Sequence, residues 1–346
     1  MSKIISFIIP SYNVEEYLTK VLDSFRVPEL EPQIEVIIVD DGSFDRTAVI
    51  AQSYVKRFPN MYRLLQKDNG GHGSAINDGS RVATGKYIKI IDADDWVITD
   101  NLKCFIEYLS ICDADVVLTP FHMVDMNTGI KTYQYMYIQD YSPIFTPDEI
   151  AADWKAFDRC TTFHGITYKT DFYNHHRHEL PEKVFYEDQE YATIPFCYAR
   201  KIRALNLPIY QYLVGNSQQS VSWQNQVKRI SHLEKVIDDM LEYWQVNYNL
   251  PGFSESYWQR KVEGIVLSYY MIMCILNPEK ADGIRQCRSL NRKLEHTCSS
   301  LYVGVLKKYR LYILFSWLRI SPEAYERIIH SFLFRLLRHN HKVEKE

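Results

Sequence analysis

The sequence predicts an α/β protein: a mixed, mainly parallel sheet flanked by helices, followed by an all-helical region. Two observations carry this prediction. In the first hundred residues, apolar runs of strand length alternate with longer amphipathic segments, which is typical of βαβ units. From Asn225 onward, apolar residues recur at the spacing of one helical face. The predicted domains are therefore residues 1–220 for the sheet and residues 221–346 for the helices.

Four strands are predicted in the first hundred residues, and their sequences in chain order are ISFII, IEVIIV, YRLLQ and YIKII. The second run is almost continuously hydrophobic, as expected for a strand that is covered on both faces. Helices are predicted between them at VEEYLTKVLDSF, DRTAVIAQSYVKRF and GSAINDGSRVA. Later strands complete a mixed sheet near residue 215, and they are predicted at ADVVL, TGIKTYQYMYI, HGITYK and IRALNLPIYQYL.

Composition excludes several classes of protein. The chain has 346 residues, 46% hydrophobic content and a formal charge of −3, so it lacks the basic surface of a dedicated nucleic-acid binder. Seven scattered cysteines without a CxxC pair indicate neither a disulfide framework nor a zinc site, and they favour a reducing, cytoplasmic compartment. The apolar run at the N-terminus is too short for a signal peptide, and no run reaches the roughly 20 residues of a membrane span.

Polar clusters follow all four strands, and they are Pro10–Asn13, Asp40–Ser43, Lys67–Gly71 and Asp92–Asp95. Because the carboxyl ends of parallel strands meet at one edge of a sheet, these clusters are expected to line one rim, where such sheets bind their ligands. A single cluster of this kind is typical of a turn or a helix cap. Four clusters on one rim favour a binding site.

The rim lacks the signatures of two nucleotide-binding folds. No G-x-G-x-x-G follows the first strand, and the Gly85-Lys86 pair precedes a strand instead of opening the helix of a P-loop. Three carboxylates lie within four positions, in the stretch KYIKIIDADDWV, and they repel one another unless a cation lies between them. Mg²⁺ or Mn²⁺ suits this chemistry, because such hard cations bridge carboxylates to a diphosphate.

The motifs SFIIPSYN, IIVDDGSFDRT, NGGHGSAINDGSRVATGKYIKIIDADD and FYEDQEY, in this order, resemble the family 2 glycosyltransferases. The resemblance covers about residues 4–220. It implies the GT-A fold and the transfer of a sugar from a nucleotide diphosphate to an acceptor hydroxyl, with inversion at the anomeric carbon. The chain looks most like the bacterial enzymes that build capsule, teichoic acid or other surface glycans, usually from UDP-sugars.

The resemblance also implies roles for individual residues. Nucleotide contacts are implied for Pro10, Tyr12, Asp40, Asp41, Asn69 and Asp92. Asp94 matches the residue that binds the metal directly, and Asp92 matches the residue that reaches the ribose or a metal-bound water. Asp188 matches the general base that takes the proton of the attacking hydroxyl, with Glu187 as an orienting or acceptor-binding neighbour.

Three further residues have two interpretations each. Asp95 is interpreted as a helix cap in preference to a third metal ligand. His72 is interpreted as a solvated loop residue in preference to a hydrogen-bond donor to the nucleotide, and His164 as a satisfied core residue in preference to an acceptor contact. The chain departs from the family at Ile76, where members often carry arginine, so a cation near the nucleotide is missing.

Two other functions stay open. A sugar nucleotidyltransferase also uses metal-binding carboxylates, but such enzymes carry a glycine-rich loop with arginine and lysine after the first strand, where this chain has PSYNVEEY. A non-catalytic partner subunit would keep the fold and bind glycans. The expected partners are a nucleotide-sugar donor and a glycan or lipid-linked acceptor, with no nucleic acid.

The C-terminal region predicts one more helix, because Ser321 is suited to cap it and Pro322 to begin it. The predicted apolar stripe consists of Tyr325, Ile328, Ile329, Phe332, Leu333, Leu336 and Leu337, among basic residues. Three interpretations are open: ordinary packing, self-association into a homo-oligomer, and contact with the anionic inner face of the membrane. The expected location is therefore the cytoplasm, with the membrane face as an alternative.

Overall fold

The computed structural model describes residues 3–215 and 223–330, which form two compact units. Within these residues, 3–215 and 242–261 make up the first unit, and 223–241 and 262–330 make up the second. The sheets and all four polar clusters lie in the first unit.

The first unit opens with the predicted alternation of strands and helices. Its elements are β1 (Ile5–Ser11), α1 (Leu18–Ser24), a 3₁₀ turn (Pro28–Leu30), β2 (Ile34–Asp40), α2 (Thr47–Arg57), β3 (Tyr62–Gln66), α3 (His72–Val82) and β4 (Tyr87–Ile90). The four strands are parallel and lie in the order β3-β2-β1-β4. The predicted α/β class is therefore confirmed.

The rest of this unit is more irregular. Its elements are β5 (Trp96–Val97), α4 (Thr99–Ile111), β6 (Val116–Leu118), β7 (Phe121–Asp125), β8 (Lys131–Gln134), β9 (Ile144–Phe145), α5 (Pro147–Ala152), α6 (Trp154–Phe157), β10 (Ile166–Lys169), α7 (Thr170–His176), α8 (Asp188–Tyr191), a 3₁₀ turn (Phe196–Tyr198), β11 (Ile202–Ala204) and β12 (Tyr210–Val214). Strands β10, β6, β11 and β9 continue the large sheet beyond β4.

The predicted mixed sheet is confirmed, and the described residues also form a second sheet that the sequence does not predict. Strands β5, β12, β7 and β8 make a separate four-stranded sheet. The chain leaves the large sheet at Pro120, between β6 and β7, and at Pro208, between β11 and β12. Proline has no backbone N–H to donate to a strand ladder, so each proline ends one strand and lets the next join another sheet.

Hydrophobic burial on both faces fixes the large sheet. Phe7, Ile9, Val36 and Ile38 point to one face, into a core shared with α1, α2 and α4. Helix α3 covers the opposite face, where Gly79 lies against Ile8 and Val39. Strand β2 is buried along its whole length, in agreement with its continuous apolar sequence.

Only helices are found from residue 223 to residue 330, as the apolar spacing predicts. They are α9 (Trp223–Lys228), α10 (Ile230–Asn247), α11 (Glu255–Met271), a π-helical turn (Ile272–Leu276), α12 (Lys280–Thr297), α13 (Ser299–Trp317) and α14 (Pro322–His330). The Ser321 hydroxyl accepts a hydrogen bond from the Ala324 N–H at 3.2 Å, so the predicted cap is confirmed. The predicted stripe beyond residue 330 lies outside the described residues. None of the helices described here has an apolar stretch that would span a bilayer.

We predict that Gly79→Ala lowers the free energy of unfolding by about 1–3 kcal/mol, the usual cost of overpacking a core. A Cβ at this position would lie 2.4 Å from Ile8 Cγ2 and 3.1 Å from Val39 Cγ2. Urea unfolding measures the change. Gly264→Ala is the matched control, because a Cβ there meets nothing within 4 Å and the helix gains from alanine. Equal free energies of unfolding for the two variants would show that the close contact of α3 with the sheet at Gly79 does not stabilise the fold.

Candidate functional site

The strand register brings the polar clusters together as the sequence predicts. Ser11 pairs with Asp40, and Asp40 pairs with Gln66, so β1, β2 and β3 end side by side. Backbone hydrogen bonds continue past the strands, from the Asp41 N–H to the Ser11 carbonyl at 2.9 Å and from the Lys67 N–H to the Asp40 carbonyl at 3.0 Å. The rim is therefore a continuous wall at the carboxyl ends of the strands.

The Asp41 carboxylate organises the glycine loop of this wall. Its two oxygens accept hydrogen bonds from the Gly70 N–H at 2.9 Å and the Gly71 N–H at 2.7 Å. Lys67 Nζ lies 2.9 Å from Asp41 Oδ1 and forms an ion pair with it. Asn69 donates to the backbone carbonyl of Asp41 at 3.0 Å. Lys67 therefore places a positive charge on the rim, although the sequence at Ile76 suggests that this region lacks one.

The neighbouring carboxylate, Asp40, is equally engaged. It is buried and accepts hydrogen bonds from the Ser43 N–H at 3.1 Å and from Gln66 Nε2 at 3.2 Å. Pro10 is also buried, inside β1. These two residues shape the wall from behind, so their implied nucleotide contacts remain a prediction.

Two aromatic side chains stand on the outer side of the rim. Tyr12 is partly exposed, and its ring centroid lies 6.5 Å from that of Phe44, which is 89% exposed. Asn13 adopts a left-handed backbone with φ +53°, and its side-chain oxygen accepts a hydrogen bond from the Phe44 N–H at 2.9 Å. Sequence reasoning missed Phe44, although a phenylalanine directly after the DDGS cluster is an unusual choice for a solvated loop.

The interpretation of Asp95 as a helix cap is wrong. Helix α4 begins four residues later, at Thr99, and Asp95 is fully buried. Its carboxylate accepts hydrogen bonds from the Tyr210 hydroxyl at 2.5 Å and from the Leu213 N–H at 2.7 Å. Burial, followed by repulsion from Asp92 and Asp94, raises the pKa of Asp95 well above its usual value. Asp95 therefore anchors the segment Asp92–Asp95, which we call the acidic turn, to β12.

Asp92 and Asp94 are more open to solvent than Asp95. Burial, followed by the negative charge of Asp92, raises the pKa of Asp94 to about 6. Such a shift is expected where carboxylates lie close together without a cation between them. The pair thus has the electrostatic character of a site for a positive ion.

His164 lies beside this turn in an aromatic cage. Its ring centroid lies 5.0 Å from that of Phe121 and 4.4 Å from that of Tyr212. Burial lowers the pKa of His164 to about 4, so the imidazole is neutral, and its buried Nδ1 has no hydrogen-bond partner within the described part of the chain. The interpretation as a satisfied core histidine is therefore wrong.

One group of side chains in the described ranges brings ligand atoms close enough to share a cation. Single atoms of Asp92, Asp95 and His164 lie within 4.8 Å of one another. Two carboxylates and a neutral imidazole are a donor set that Mn²⁺ accepts, whereas Mg²⁺ favours oxygen alone. Asp92 is common to this group and to the pair that the sequence predicts, and Asp94 is not a member of the group.

A buried lysine lies behind the acidic turn, and sequence reasoning missed it. Lys89 is fully buried in β4, and its Nζ donates to the carbonyls of His164 at 2.7 Å and Ile166 at 3.1 Å. Burial lowers the pKa of Lys89 to about 7. The signal is a lysine in the middle of the apolar run YIKII, where a strand covered on both faces leaves its side chain no route to water.

Glu187 and Asp188, which we call the acceptor-side motif, are joined to the rim through a contact with His72. His72 Nδ1 lies 2.6 Å from Glu187 Oε1, and His72 Nε2 lies 2.9 Å from Asp92 Oδ1. Burial of the imidazole lowers its pKa, but the hydrogen bonds and charges of Asp92 and Glu187 outweigh this and hold the pKa of His72 well above its usual value. The interpretation of His72 as a solvated loop residue is therefore wrong.

Glu187 and Asp188 have different surroundings. Glu187 is buried against α3, whereas Asp188 begins α8, is partly exposed, and accepts a hydrogen bond from Gln189 Nε2 at 3.0 Å. Burial, followed by the charge of Glu187, raises the pKa of Asp188 to about 6. Of the two carboxylates, Asp188 is therefore the more exposed to solvent.

A second buried lysine, Lys261, opposes the rise in the pKa of Asp188. Lys261, at the end of the 242–261 segment, donates from Nζ to the Thr161 carbonyl at 2.9 Å. Its positive charge lowers the pKa of Asp188, and burial lowers the pKa of Lys261 itself to about 8. Nothing in the local sequence distinguishes Lys261 from the other lysines of the helical region, so only the fold identifies it.

Comparison with known proteins identifies the family. Residues 6–174 match the sequence profile described as Glycosyl transferase family 2. These residues form a family 2 glycosyltransferase domain. The chain is similar to EpsH of Bacillus subtilis, named a putative glycosyltransferase, with 27% identity over 298 residues, which are 85% of this chain and 83% of EpsH. Glycosyltransferase GlyG of Streptococcus pneumoniae is 33% identical over 141 residues, 41% of this chain and 46% of GlyG.

A solved structure shows the same fold. Staphylococcus aureus TarS in complex with UDP-GlcNAc superimposes with a TM-score of 0.60 at 21% identity, covering 94% of this chain and 92% of that structure. TarS is named a poly(ribitol-phosphate) beta-N-acetylglucosaminyltransferase. The predicted GT-A fold is confirmed, and the protein is a glycosyltransferase.

Proposed function

We propose that the protein transfers a sugar from a UDP-sugar to an acceptor hydroxyl, with inversion and with the help of a divalent metal, in the synthesis of capsule, teichoic acid or another surface glycan. One observation carries this proposal. His72 joins the acidic turn of Asp92 to the acceptor-side motif of Glu187 and Asp188 across one site. A single displacement needs both parts, because the leaving diphosphate and the attacking hydroxyl lie on opposite faces of the sugar.

The nucleotide is expected along the wall formed by β1, β2 and β3. Tyr12 offers an exposed ring for the base, and Asn69 with Gly70 and Gly71 forms a loop that lets a ligand approach the backbone closely. The choice of UDP rests on TarS, which is similar in fold and was solved with UDP-GlcNAc. The sugar itself stays undefined.

Asp92 and Asp94 would hold the metal, as the resemblance implies, and neutral His164 is suitably placed as a further ligand beside Asp92. The raised pKa of Asp94 and the unpartnered Nδ1 of His164 support this assignment. When bound, Mn²⁺ or Mg²⁺ would supply positive charge to the leaving diphosphate. Asp95 serves this arrangement by fixing the turn to Tyr210.

Asp188 is the proposed general base. A carboxylate with a pKa of about 6 is ionised at neutral pH and is a stronger base than an ordinary aspartate. Its partial exposure lets an acceptor hydroxyl reach it, and Glu187 holds the loop behind it. The proton of the acceptor hydroxyl would move to Asp188 as that oxygen attacks the sugar.

We predict that Asp94→Asn abolishes metal-dependent UDP binding and leaves the fold intact, because the amide keeps the shape of the carboxylate and loses its charge. Calorimetric titration of UDP with and without Mn²⁺ measures the effect. Asp100→Asn is the matched control, since Asp100 is an exposed carboxylate in the first turn of α4. Metal-assisted affinity equal to that of wild type in the Asp94 variant would remove Asp94 from the site.

Asp188→Asn is expected to leave UDP binding near wild type and to slow transfer by about 10² to 10⁴ fold, the range typical of a lost general base. Hydrolysis of UDP-sugars, with water as the acceptor, measures this without knowledge of the natural acceptor. In wild type, the rate should fall as the pH drops through about 6, because protonated Asp188 cannot accept a proton. Parallel UDP titrations at each pH separate this effect from weaker donor binding. A variant rate close to wild type would place the base elsewhere, and Glu187 would be the next candidate.

The second unit carries a surface that fits an anionic membrane. In α13, the apolar side chains that are exposed include Val303, Leu314 and Trp317, and Trp317 is 78% exposed. The same helix contains three cations and no acidic residue, in the sequence SSLYVGVLKKYRLYILFSW. Tryptophan and lysine among exposed leucines are typical of helices that lie in the headgroup region.

Charge favours a lipid surface over the alternatives for α13. Two copies of this helix would bring like charges together, which opposes self-association. The chain beyond residue 330, HSFLFRLLRHNHKVEKE from His330, is itself rich in basic residues and does not offer the opposite charge. Anionic lipids offer this opposite charge, and each lysine or arginine near such a surface contributes about 1 kcal/mol to the free energy of membrane binding. The proposed location is therefore the inner face of the membrane, close to a lipid-linked acceptor.

We predict that the protein sediments with vesicles containing phosphatidylglycerol at low salt and not with pure phosphatidylcholine. Reversing three charges in Lys307→Glu, Lys308→Glu and Arg310→Glu should weaken this binding by more than about 100-fold, on the same scale per residue. Lys56→Glu with Arg57→Glu is the control, because these exposed cations lie on α2. Absence of vesicle binding at low salt, or a dimer in solution that the triple variant converts to a monomer, would contradict the membrane proposal.

A further inference from the structure

The imidazole of His72 lies between two carboxylates that come from distant parts of the sequence. Glu187 is 115 residues away and Asp92 is 20 residues away, and each contacts a different ring nitrogen, at 2.6 Å and 2.9 Å. Ionised carboxylates only accept hydrogen bonds, so both nitrogens of His72 donate. The bridge is therefore a charge-assisted link with one cation between two anions.

The backbone around His72 is built for this close contact. Gly73 has no side chain, and a Cβ there would lie 2.9 Å from the Pro181 carbonyl oxygen and 3.0 Å from Glu187 Cγ. One turn further along α3, Asn77 exchanges two hydrogen bonds with the backbone of Leu180, at 2.9 Å and 3.1 Å. The first two turns of α3 thus form a dock for the segment 180–187, which we call the acceptor loop.

The acceptor loop is strained where it meets this dock. Lys183 and Tyr186 adopt left-handed backbones, with φ of +56° and +71°, a conformation that side chains other than glycine rarely take. The Lys183 N–H donates to the Gly70 carbonyl at 2.8 Å. Strained residues of this kind persist only where surrounding contacts hold them. The His72–Glu187 hydrogen bond is one of those contacts. Glu187 is the residue directly before Asp188, so this hydrogen bond also restrains the backbone at Asp188.

We propose that His72 is a positioning residue for transfer: it ties the acceptor loop, and through it Asp188, to the acidic turn that receives the donor. This inference rests on the proposed function and deepens it. It assigns His72 no contact with the reacting atoms. Its consequence is that the distance between base and donor is set by a side chain at the start of α3, and not by the acceptor loop alone.

A purely structural ion pair is the competing explanation, and the two differ in what they predict. The His72 side chain is 35% exposed and faces the site, so its removal leaves the hydrophobic core intact. A structural role predicts lower stability with unchanged turnover of the folded protein. A positioning role predicts that kcat falls while the affinity for UDP and the KM for the donor change much less.

The test compares three variants of His72 by hydrolysis of the UDP-sugar that wild type cleaves fastest in a panel of UDP-glucose, UDP-galactose, UDP-GlcNAc and UDP-GalNAc. We expect His72→Ala to lower kcat by about 10- to 100-fold, in line with coupling energies between residues in contact. In His72→Asn, the side-chain amide nitrogen replaces Nδ1, which contacts Glu187. In His72→Gln, the side-chain amide nitrogen replaces Nε2, which contacts Asp92. His72→Asn, which keeps the donor to Glu187, should therefore retain more activity than His72→Gln.

Two further measurements make the result specific. Added imidazole should restore part of the activity of His72→Ala and none of that of Glu187→Gln. The double variant His72→Ala with Glu187→Gln should be no slower than the slower single variant, because both substitutions break the same link.

His175→Ala, at an exposed histidine on α7, is the control and should keep wild-type kcat. Wild-type kcat in folded His72→Ala, or losses that multiply in the double variant, would overturn the proposal.

Hydrogen exchange keeps the inference separate from the proposed function. If wild type hydrolyses no UDP-sugar, the proposed function fails, but amide exchange of residues 180–187 still reports on the acceptor loop. His72→Ala and Glu187→Gln should both accelerate this exchange, and His175→Ala should not. Exchange of the acceptor loop that is unchanged in both variants would overturn the inference whatever the activity.

Discussion

The candidate site depends on the close packing of the first turns of α3 against the acceptor loop. Gly71 and Gly73 permit the backbones to approach, Asn77 fixes the loop at Leu180, and His72 adds a charged link to Glu187. Each contact is weak alone, but all act on one short segment. Because α3 also packs on the large sheet through Gly79, the sheet, the acidic turn and the acceptor loop share one frame. Without this contact, the acidic turn and the acceptor loop would not be held in a fixed position relative to each other.

Electrostatics gives the same site its chemical character. Several carboxylates converge on the rim, and the fold offsets them with cations placed behind or beside them: Lys67 beside Asp41, His72 between Asp92 and Glu187, and the buried amines of Lys89 and Lys261. Among the partly exposed carboxylates, Asp94 and Asp188 are the less compensated, and their pKa values are raised to about 6. One of these is suited to bind a positive ion and the other to accept a proton.

The sequence predicts the rim well, because strand periodicity and turn chemistry are local properties. Parallel strands place their carboxyl ends together, so four polar clusters suffice to locate the site. Family resemblance names Asp94 and Asp188, and their roles remain predictions. The sequence fails for His72, Asp95 and His164, whose partners lie between 20 and 118 residues away. It also misses Lys261, because burial beside a distant carboxylate leaves no local pattern. Long-range pairing between loops is therefore the part of this site that only the structure reveals.

A crystal structure of the protein with UDP and Mn²⁺ tests the central claim most directly, with the ion located by its anomalous scattering. The account predicts that the ion lies between the diphosphate and Asp92 with Asp94, and that the base lies on Tyr12. It also predicts that Asp188 faces the empty sugar position from the side opposite the diphosphate, with His72 still joined to Glu187. A diphosphate held by Lys67 without a metal ion, or an Asp188 turned away from the site, would contradict the account.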